Sequence, residues 1–427
     1  MVRKLKYLTL LLLACMPVLQ LQAVDARPYA PALLGDVCII VVKIEFDHST
    51  SNTTDALNLR ENKADDLEHT GNGAGEGEWL YASRNEPALY KCGQTVSCLV
   101  TFQAYDTVTG KPFTTDVPLD VKATGLNEMK GNLKKTAVTI PANSTMKRYV
   151  KFDFDKTTEK WDGTDDNEIQ KIVGRLKWEC ANAGQTDWRN FSISKTGPHT
   201  FYTILPGGLK TPWSETPQTT TAPHTHEPWV SALEFSIVDA GLEGKKTDLT
   251  VASTMTTYLH TSHGIPYDTV SGADSYTAFV VALQRKFNAT AYMAKTGVGK
   301  VNCSDQAHAV KCFSAIVGTS MTMEYCDPFG YINTTVLCGI VGNCNNPFYT
   351  KPPVTAPVVV GFPRSSFSFH QMCTMGGNLY DATCGPEVGT DAHAAYIVKM
   401  IDVATPAAQK AKVTDFEDYN SNYHSIY

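Results

Sequence analysis

Val301-Asn302-Cys303-Ser304-Asp305-Gln306-Ala307 is the stretch that decides how this chain is read. It closes a Gly-punctuated loop and opens a segment in which Ala307, Val310, Phe313, Ile316 and Val317 recur at three- and four-residue steps, with Gly318 as a stop signal. The spacing predicts a helix from Ser304 onward, with Cys303 in its first turn and in line with the Ala307/Val310 stripe that faces the core. Unpaired N–H groups at a helix start carry a partial positive charge of roughly half a unit. That charge favours thiolate over thiol and can hold an oxyanion once attack begins.

The competing reading is that Cys303 is one more disulfide partner, and cysteine parity argues against it. The chain has twelve cysteines, and Cys15 lies in an N-terminal apolar segment expected to be removed. An odd number then remains: Cys38, Cys92, Cys98, Cys180, Cys303, Cys312, Cys326, Cys338, Cys344, Cys373 and Cys384. One thiol is left over, and the helix start singles out Cys303.

Residues 1–26 begin with Arg3, Lys4 and Lys6, continue apolar from Tyr7 to Leu21 and end on small residues at Ala23 and Ala26. This is the pattern of a secretory signal peptide. The apolar run is too short for a membrane span, and no second candidate follows. Leu12-Leu13-Ala14-Cys15 also loosely resembles a bacterial lipoprotein box, with Cys15 as the anchor. Either route places the protein outside the cytoplasm, secreted or periplasmic, where disulfides persist. In 427 residues with a hydrophobic fraction of 43%, two or three packed domains are expected. The formal charge of −6 is spread without a basic block, which excludes a nucleic-acid partner. Of the sequons at Asn52, Asn143, Asn190, Asn288, Asn302 and Asn333, that at Asn302 reads as chance, because a glycan there would crowd Cys303.

Residues 27–205 read as a β-sandwich, immunoglobulin-like in its spacing of strands. Cys38–Phe46 is a run of branched side chains, followed by Ser97–Tyr105, Val117–Lys122, Ala137–Ile140, Tyr149–Phe154, Arg175–Cys180 and Thr200–Leu205 between turn residues. Cys92 and Cys98 flank a tight segment and could staple it or reach other strands. Residues 206–228 are Pro- and Thr-rich and read as a linker. Its His224-Thr225-His226-Glu227 cluster and the acidic stretch Asp153–Glu168 look like metal ligands in isolation, but neither has the spacing of a metal site, and both are expected to be solvated. Helical spacing appears at Val230–Leu242, Thr247–Leu259 and Tyr276–Phe287, ahead of the Cys303 helix. Strands follow at Ser366–Cys373 and Asn378–Cys384. Helices first and strands later make residues 229–403 an α+β domain. Residues 404–427 read as a weakly ordered polar tail.

A cysteine nucleophile needs a base and a third group to orient that base. Gly376-Gly377 joins the last two strands as a two-residue hairpin loop. With Met375 opposite Asn378, Met372 opposes Asp381 and His370 opposes Thr383, so His370 and Asp381 become diagonal neighbours on one face. Diagonal neighbours lie about 7–8 Å apart at the backbone, within reach of an imidazole and a carboxylate. In this register Cys373 and Cys384 face the other way, too far apart to bond each other, and each is expected to pair elsewhere.

Cysteine at a helix start, histidine on one strand and aspartate on the next resembles the transglutaminase-like branch of the papain-like cysteine enzymes. The segments Val301-Asn302-Cys303-Ser304-Asp305, Phe369-His370 and Leu379-Tyr380-Asp381-Ala382-Thr383-Cys384 are similar to those of secreted bacterial members with an N-terminal β-sandwich. Trp178 and its neighbours, His199–Leu205, Thr211-Pro212-Trp213 and Asp55–Arg60 extend the resemblance upstream. The resemblance implies Cys303 as nucleophile, His370 as base and then acid, and Asp381 as the group orienting His370. Ser304 and Gln371 depart from the family, which often has an aromatic residue after the nucleophile and an aromatic or small apolar one after the base. The backbone N–H of Cys303 is the one oxyanion donor that can be named.

The expectation is an exported enzyme that attacks a protein or peptide carboxamide or peptide carbonyl through a Cys303 thioester, without a cofactor or metal. Water as acceptor makes it a protease or amidase, and an amine makes it a cross-linking transferase. The rivals are a catalytically inactive binding or surface-assembly protein on the same fold, and a metal site using Cys303 and His370.

Overall fold

The computed structural model describes residues 37–46, 56, 57, 59, 79–81, 84–94, 96–106, 108–128, 132–142, 148–155, 168–213, 228–268, 271–279, 285–326, 337–339, 369–400, 416–418 and 423–426. The signal-peptide segment, Cys15, Cys344 and the His224–Glu227 cluster lie outside these residues, as does most of the Asp153–Glu168 stretch.

The described chain is mostly β-sheet with a few helices. Strands β1 (Val37–Glu45), β2 (Trp79–Leu80), β3 (Arg84–Asn85), β4 (Ala88–Lys91), β5 (Ser97–Asp106), β6 (Val117–Asn127), β7 (Asn132–Ile140), β8 (Arg148–Asp155), β9 (Gln170–Asn182) and β10 (Arg189–Ile204) come first. All seven runs read as strands in the sequence are found here. The short β2, β3 and β4 carry too few alternating residues to be seen in advance. The ten strands form one hydrogen-bonded sheet in the order β3-β2-β1-β5-β8-β7-β6-β9-β10-β4, antiparallel except at β10 and β4.

Strand periodicity explains the packing. In β9, Ile172, Leu176, Trp178 and Cys180 are buried at every second position while the residues between them are half-exposed. The two halves of the sheet are joined by few pairs at β7 and β8, Asn132 with Asp155 and Leu133 with Phe154. They share one core, where Phe102 meets Trp178 edge-on at 5.7 Å and Phe46 meets Phe201 at 4.7 Å.

The second half of the chain opens with α1 (Val230–Glu234), continued by a π-helical turn Phe235–Asp239, and α2 (Asp248–Thr261), capped by Thr247. Next come β11 (Thr277–Phe279), β12 (Arg285–Phe287), α3 (Ala289–Met293) and α4 (Cys303–Ala315), followed by β13 (Thr322–Cys326), β14 (His370–Met375), β15 (Asn378–Asp381) and β16 (Glu387–Ala392). Helix α5 (His393–Met400) and strands β17 (Phe416–Asp418) and β18 (Tyr423–Ile426) are the last elements among the described residues. A five-stranded sheet in the order β16-β15-β14-β13-β17 backs α4, and β18 joins β12. The expected weakly ordered tail therefore supplies two paired strands. Among the described residues no helix is long and apolar enough to cross a membrane.

Two helix expectations are corrected. In place of the helix read over Tyr276–Phe287, the described residues form strands: β11 and β12 pair, with Thr277 opposite Phe287. The backbone N–H groups at the start of this stretch are claimed by a distant carboxylate, since Tyr276 N and Thr277 N donate to Asp305 Oδ1 at 2.9 and 2.7 Å. Helix α4, predicted to bury one stripe, is buried on every side. It runs through the middle of the second core and stops where Gly318 takes φ +107°, a conformation that a side chain there would strain.

The boundary near residue 205 is a continuous contact. Leu205 N donates to Val317 O and Lys210 N to Ala315 O, both at 3.0 Å. Trp213, within the stretch expected to be linker, is buried, donates from Nε1 to Cys312 O at 2.8 Å and packs edge-on against Trp229. Lys171 of β9 lies 2.7 Å from Glu234 of α1.

Candidate active site

Helix α4 begins with a reciprocal cap. Asn302 Oδ1 accepts from Asp305 N at 3.0 Å, and Asp305 Oδ2 accepts from Asn302 N at 3.2 Å. The Asn302 amide also donates to Gly272 O and Asp274 Oδ1, at 3.0 and 2.5 Å, and the residue is buried. A glycan has no room there. This cap sets the first turn and hence the position of Cys303.

Asp305 is the hub of this region. Beyond the cap it accepts from Ser275 N, Tyr276 N, Thr277 N and Thr277 Oγ1. Burial pushes its carboxyl up to about 6 against the hydrogen bonds from Thr277 and Ser275, which leaves it ionised at neutral pH. Each orphaned buried donor costs about 1–3 kcal/mol, so Asp305→Ala is expected to destabilise the protein by at least ~3 kcal/mol, measured by urea unfolding. The Asn-x-x-Asp spacing around Cys303 could have announced this cap in the sequence; its partners at Ser275–Thr277 could not be foreseen.

On the hairpin, Met375 pairs with Asn378 and Cys373 with Tyr380, which is the predicted register, and Gly376 and Gly377 take the positive φ values that the loop needs. His370 and Asp381 meet as expected, with Nε2 and Oδ2 2.8 Å apart and both side chains buried. The expected pairing of His370 with Thr383 does not occur. Strand β15 ends at Asp381, because its own Oδ1 accepts from Thr383 N and Cys384 N at 2.8 and 3.1 Å and turns the chain.

That turn also corrects the placement of Cys384. The expected opposite-facing thiol is swung back beside the pair: ligand atoms of His370, Asp381 and Cys384 lie within 4.8 Å of one another. Among the described residues no disulfide forms, against the expectation that Cys373 and Cys384 each pair elsewhere. Cys373 Sγ instead donates to Ala307 O at 3.2 Å, and Cys92 Sγ to Glu168 O at 3.1 Å.

Cys303, His370 and Asp381 are each at most 2% exposed, and Cys303 is among the groups that act on His370. Burial disfavours a charged imidazole, yet the Asp381 carboxylate, then the Cys384 thiol, the bond to Asp381 and the contact with Cys303 hold His370 well above its ordinary value. The same burial opposes ionisation of Asp381, but His370 and the donors Tyr396 and Thr383 keep its carboxyl below the usual range. Each partner therefore favours the charged form of the other, and Cys303 acts on the same ring. His370, Asp381 and Cys384 are also the residues that could take up a metal ion, although Nε2 and Oδ2 are already spent on each other.

Two tyrosines escaped the sequence reading. Tyr396 of α5 donates to Asp381 Oδ2 at 2.5 Å and lies 3.1 Å from His370 Nε2. Tyr267 is carried to Cys303 by a parallel bridge with Val301, and its phenol lies in the fields of Cys303, Cys384 and Cys338. Neither has a local motif. Bonds to a charged acceptor are worth about 1.5–3 kcal/mol, so Tyr396→Phe is expected to cost that much stability. Asp381 would then be less depressed, and acid unfolding should begin at a higher pH in a pH-resolved melt.

No known protein family and no curated protein sequence matches this chain. Among solved structures, the crystal structure of red sea bream transglutaminase is similar over 73% of this chain at 12% identity, with a TM-score of 0.32. The alignment spans about half, 52%, of the length of that solved chain.

Proposed function

We propose that this protein is an exported, cysteine-dependent acyl-transfer enzyme of the secreted bacterial transglutaminase-like type, with an immunoglobulin-like N-terminal sandwich ahead of its catalytic domain. The observation that carries the reading is the buried His370–Asp381 pair, held by Tyr396, beside a cysteine at the first turn of a capped helix. His370 Nε2 is committed to Asp381, so Nδ1 exchanges the proton with Cys303. Cys303 Sγ attacks a carboxamide or peptide carbonyl, His370 hands the proton to the leaving amine, and a thioester remains. The Cys303 N–H lies outside the capping box and faces the oxyanion at the positive end of α4. Water then releases the acid, which makes hydrolysis the default outcome.

Burial of Cys303 favours the second reading, an inactive binding or surface-assembly protein on the same fold. Iodoacetamide separates the two. Rapid single labelling at Cys303 well below pH 8.5, the region of an ordinary thiol pKa of about 8.5, supports the enzyme; no labelling at Cys303 supports the binding protein. With a glutamine peptide, ammonia release that is unchanged by a primary amine identifies the hydrolase, and amine incorporation identifies the transferase.

A further inference from the structure

Cys384 has no part in the acyl chemistry, yet the fold turns it onto the same imidazole that serves Cys303. Its sulfur lies within 4.8 Å of ligand atoms of both His370 and Asp381. The turn that brings it there is built, not incidental, since Asp381 Oδ1 accepts the Thr383 and Cys384 N–H groups. Cys303 also acts on His370, and both thiols act on the Tyr267 phenol. Two cysteines 81 positions apart in sequence therefore share one ring.

We propose that Cys384 is the resolving thiol of Cys303: a hydroperoxide oxidises Cys303 to the sulfenic acid, and Cys384 condenses with it to a reversible Cys303–Cys384 disulfide. In the first step the Cys303 sulfur loses two electrons, the peroxide O–O bond breaks and hydroxide or alkoxide leaves. In the second, the Cys384 S–H proton passes to the departing hydroxyl, the S–O bond breaks, the S–S bond forms and water is released. The disulfide blocks the nucleophile and spares it from oxidation to the irreversible sulfinic acid.

Cys338 is the competitor. Leu337 bridges to Cys384 and Cys338 N donates to Thr383 O at 2.9 Å, so a Cys338–Cys384 bond is the alternative pairing. Of the three cysteines, Cys303 is the one at a helix start, on the capped first turn of α4. The first oxidation falls to Cys303, and Cys384 is the thiol on its imidazole.

The inference rests on the proposed function only in taking Cys303 to be a reactive thiol, and its test needs no substrate. The purified, reduced protein is treated with hydrogen peroxide, alkylated, cut with trypsin and chymotrypsin so that cleavage at Tyr380 separates Cys373 from Cys384, and mapped by mass spectrometry. The expected result is a linked Cys303/Cys384 peptide that dithiothreitol separates, retained in Cys338→Ser. In Cys384→Ser, sulfinic acid at Cys303 should rise about tenfold over the wild type, because nothing intercepts the sulfenic acid. A link between Cys384 and Cys338, a link of Cys303 to any other cysteine, or sulfinic acid at Cys303 of the wild type with Cys384 still alkylated would each overturn the proposal. Cys303 that takes iodoacetamide but forms no link sinks this inference alone; Cys303 inert to both reagents sinks the proposed function as well.

Discussion

Asp381→Asn is expected to cost both activity and stability. Oδ2 accepts from His370 and Tyr396, and Oδ1 accepts from the Thr383 and Cys384 N–H groups. An amide has one acceptor oxygen, so its NH2 must face one of these two sets of donors whichever way it is turned. Breaking a buried charge pair by removing one partner costs about 3–5 kcal/mol, which urea unfolding will read directly. Turnover should fall by about 10³–10⁴, because the imidazole loses the group that selects its tautomer and stabilises its charge. The pH dependence carries a sign. The depressed Asp381 contributes stability above the ordinary carboxylate range that is lost as pH falls through its folded value. The raised His370 contributes stability below about pH 6.5 that is lost as pH rises through its own elevated value. Wild-type protein should therefore be most stable between those limits, and Asp381→Asn should show a flatter profile. A variant with the wild-type pH profile would remove the ion pair from the account.

Cys303→Ala has the opposite signature, a large loss of activity with little loss of fold. Amide cleavage is expected to fall by about 10⁴–10⁶, since the residual rate of an enzyme without its nucleophile comes from binding and the oxyanion site alone. Stability should change by less than about 2 kcal/mol, because only one buried sulfur is removed and the Asn302–Asp305 cap is untouched. A Cys303→Ala protein that cleaves a glutamine peptide at the wild-type rate would end the thioester mechanism.

The legible parts of this chain are those governed by neighbours in sequence. The α4 start, its stop at Gly318 and the seven longer strands follow from periodicity and turn residues, which act over a few positions. The Met375/Asn378 register is legible because a two-residue Gly-Gly loop leaves one way to close the hairpin, and the meeting of His370 with Asp381 follows from it. Tyr276–Phe287 misleads because apolar spacing alone cannot register that Asp305, 28 positions beyond Thr277, hydrogen-bonds its backbone. Cys384 misleads because the alternation of a strand was carried past Asp381, where a side-chain-to-backbone turn ends it.

By itself the sequence determined the local elements and the order Cys303, His370, Asp381 along the chain, because helix caps, hairpin loops and strand alternation are short-range effects. Only the tertiary structure decided that Tyr396, Tyr267 and Cys384 join those three residues, and that α4 is wrapped on all sides. Those contacts depend on where separate elements pack, and packing in three dimensions leaves no periodic mark on the residues it brings together.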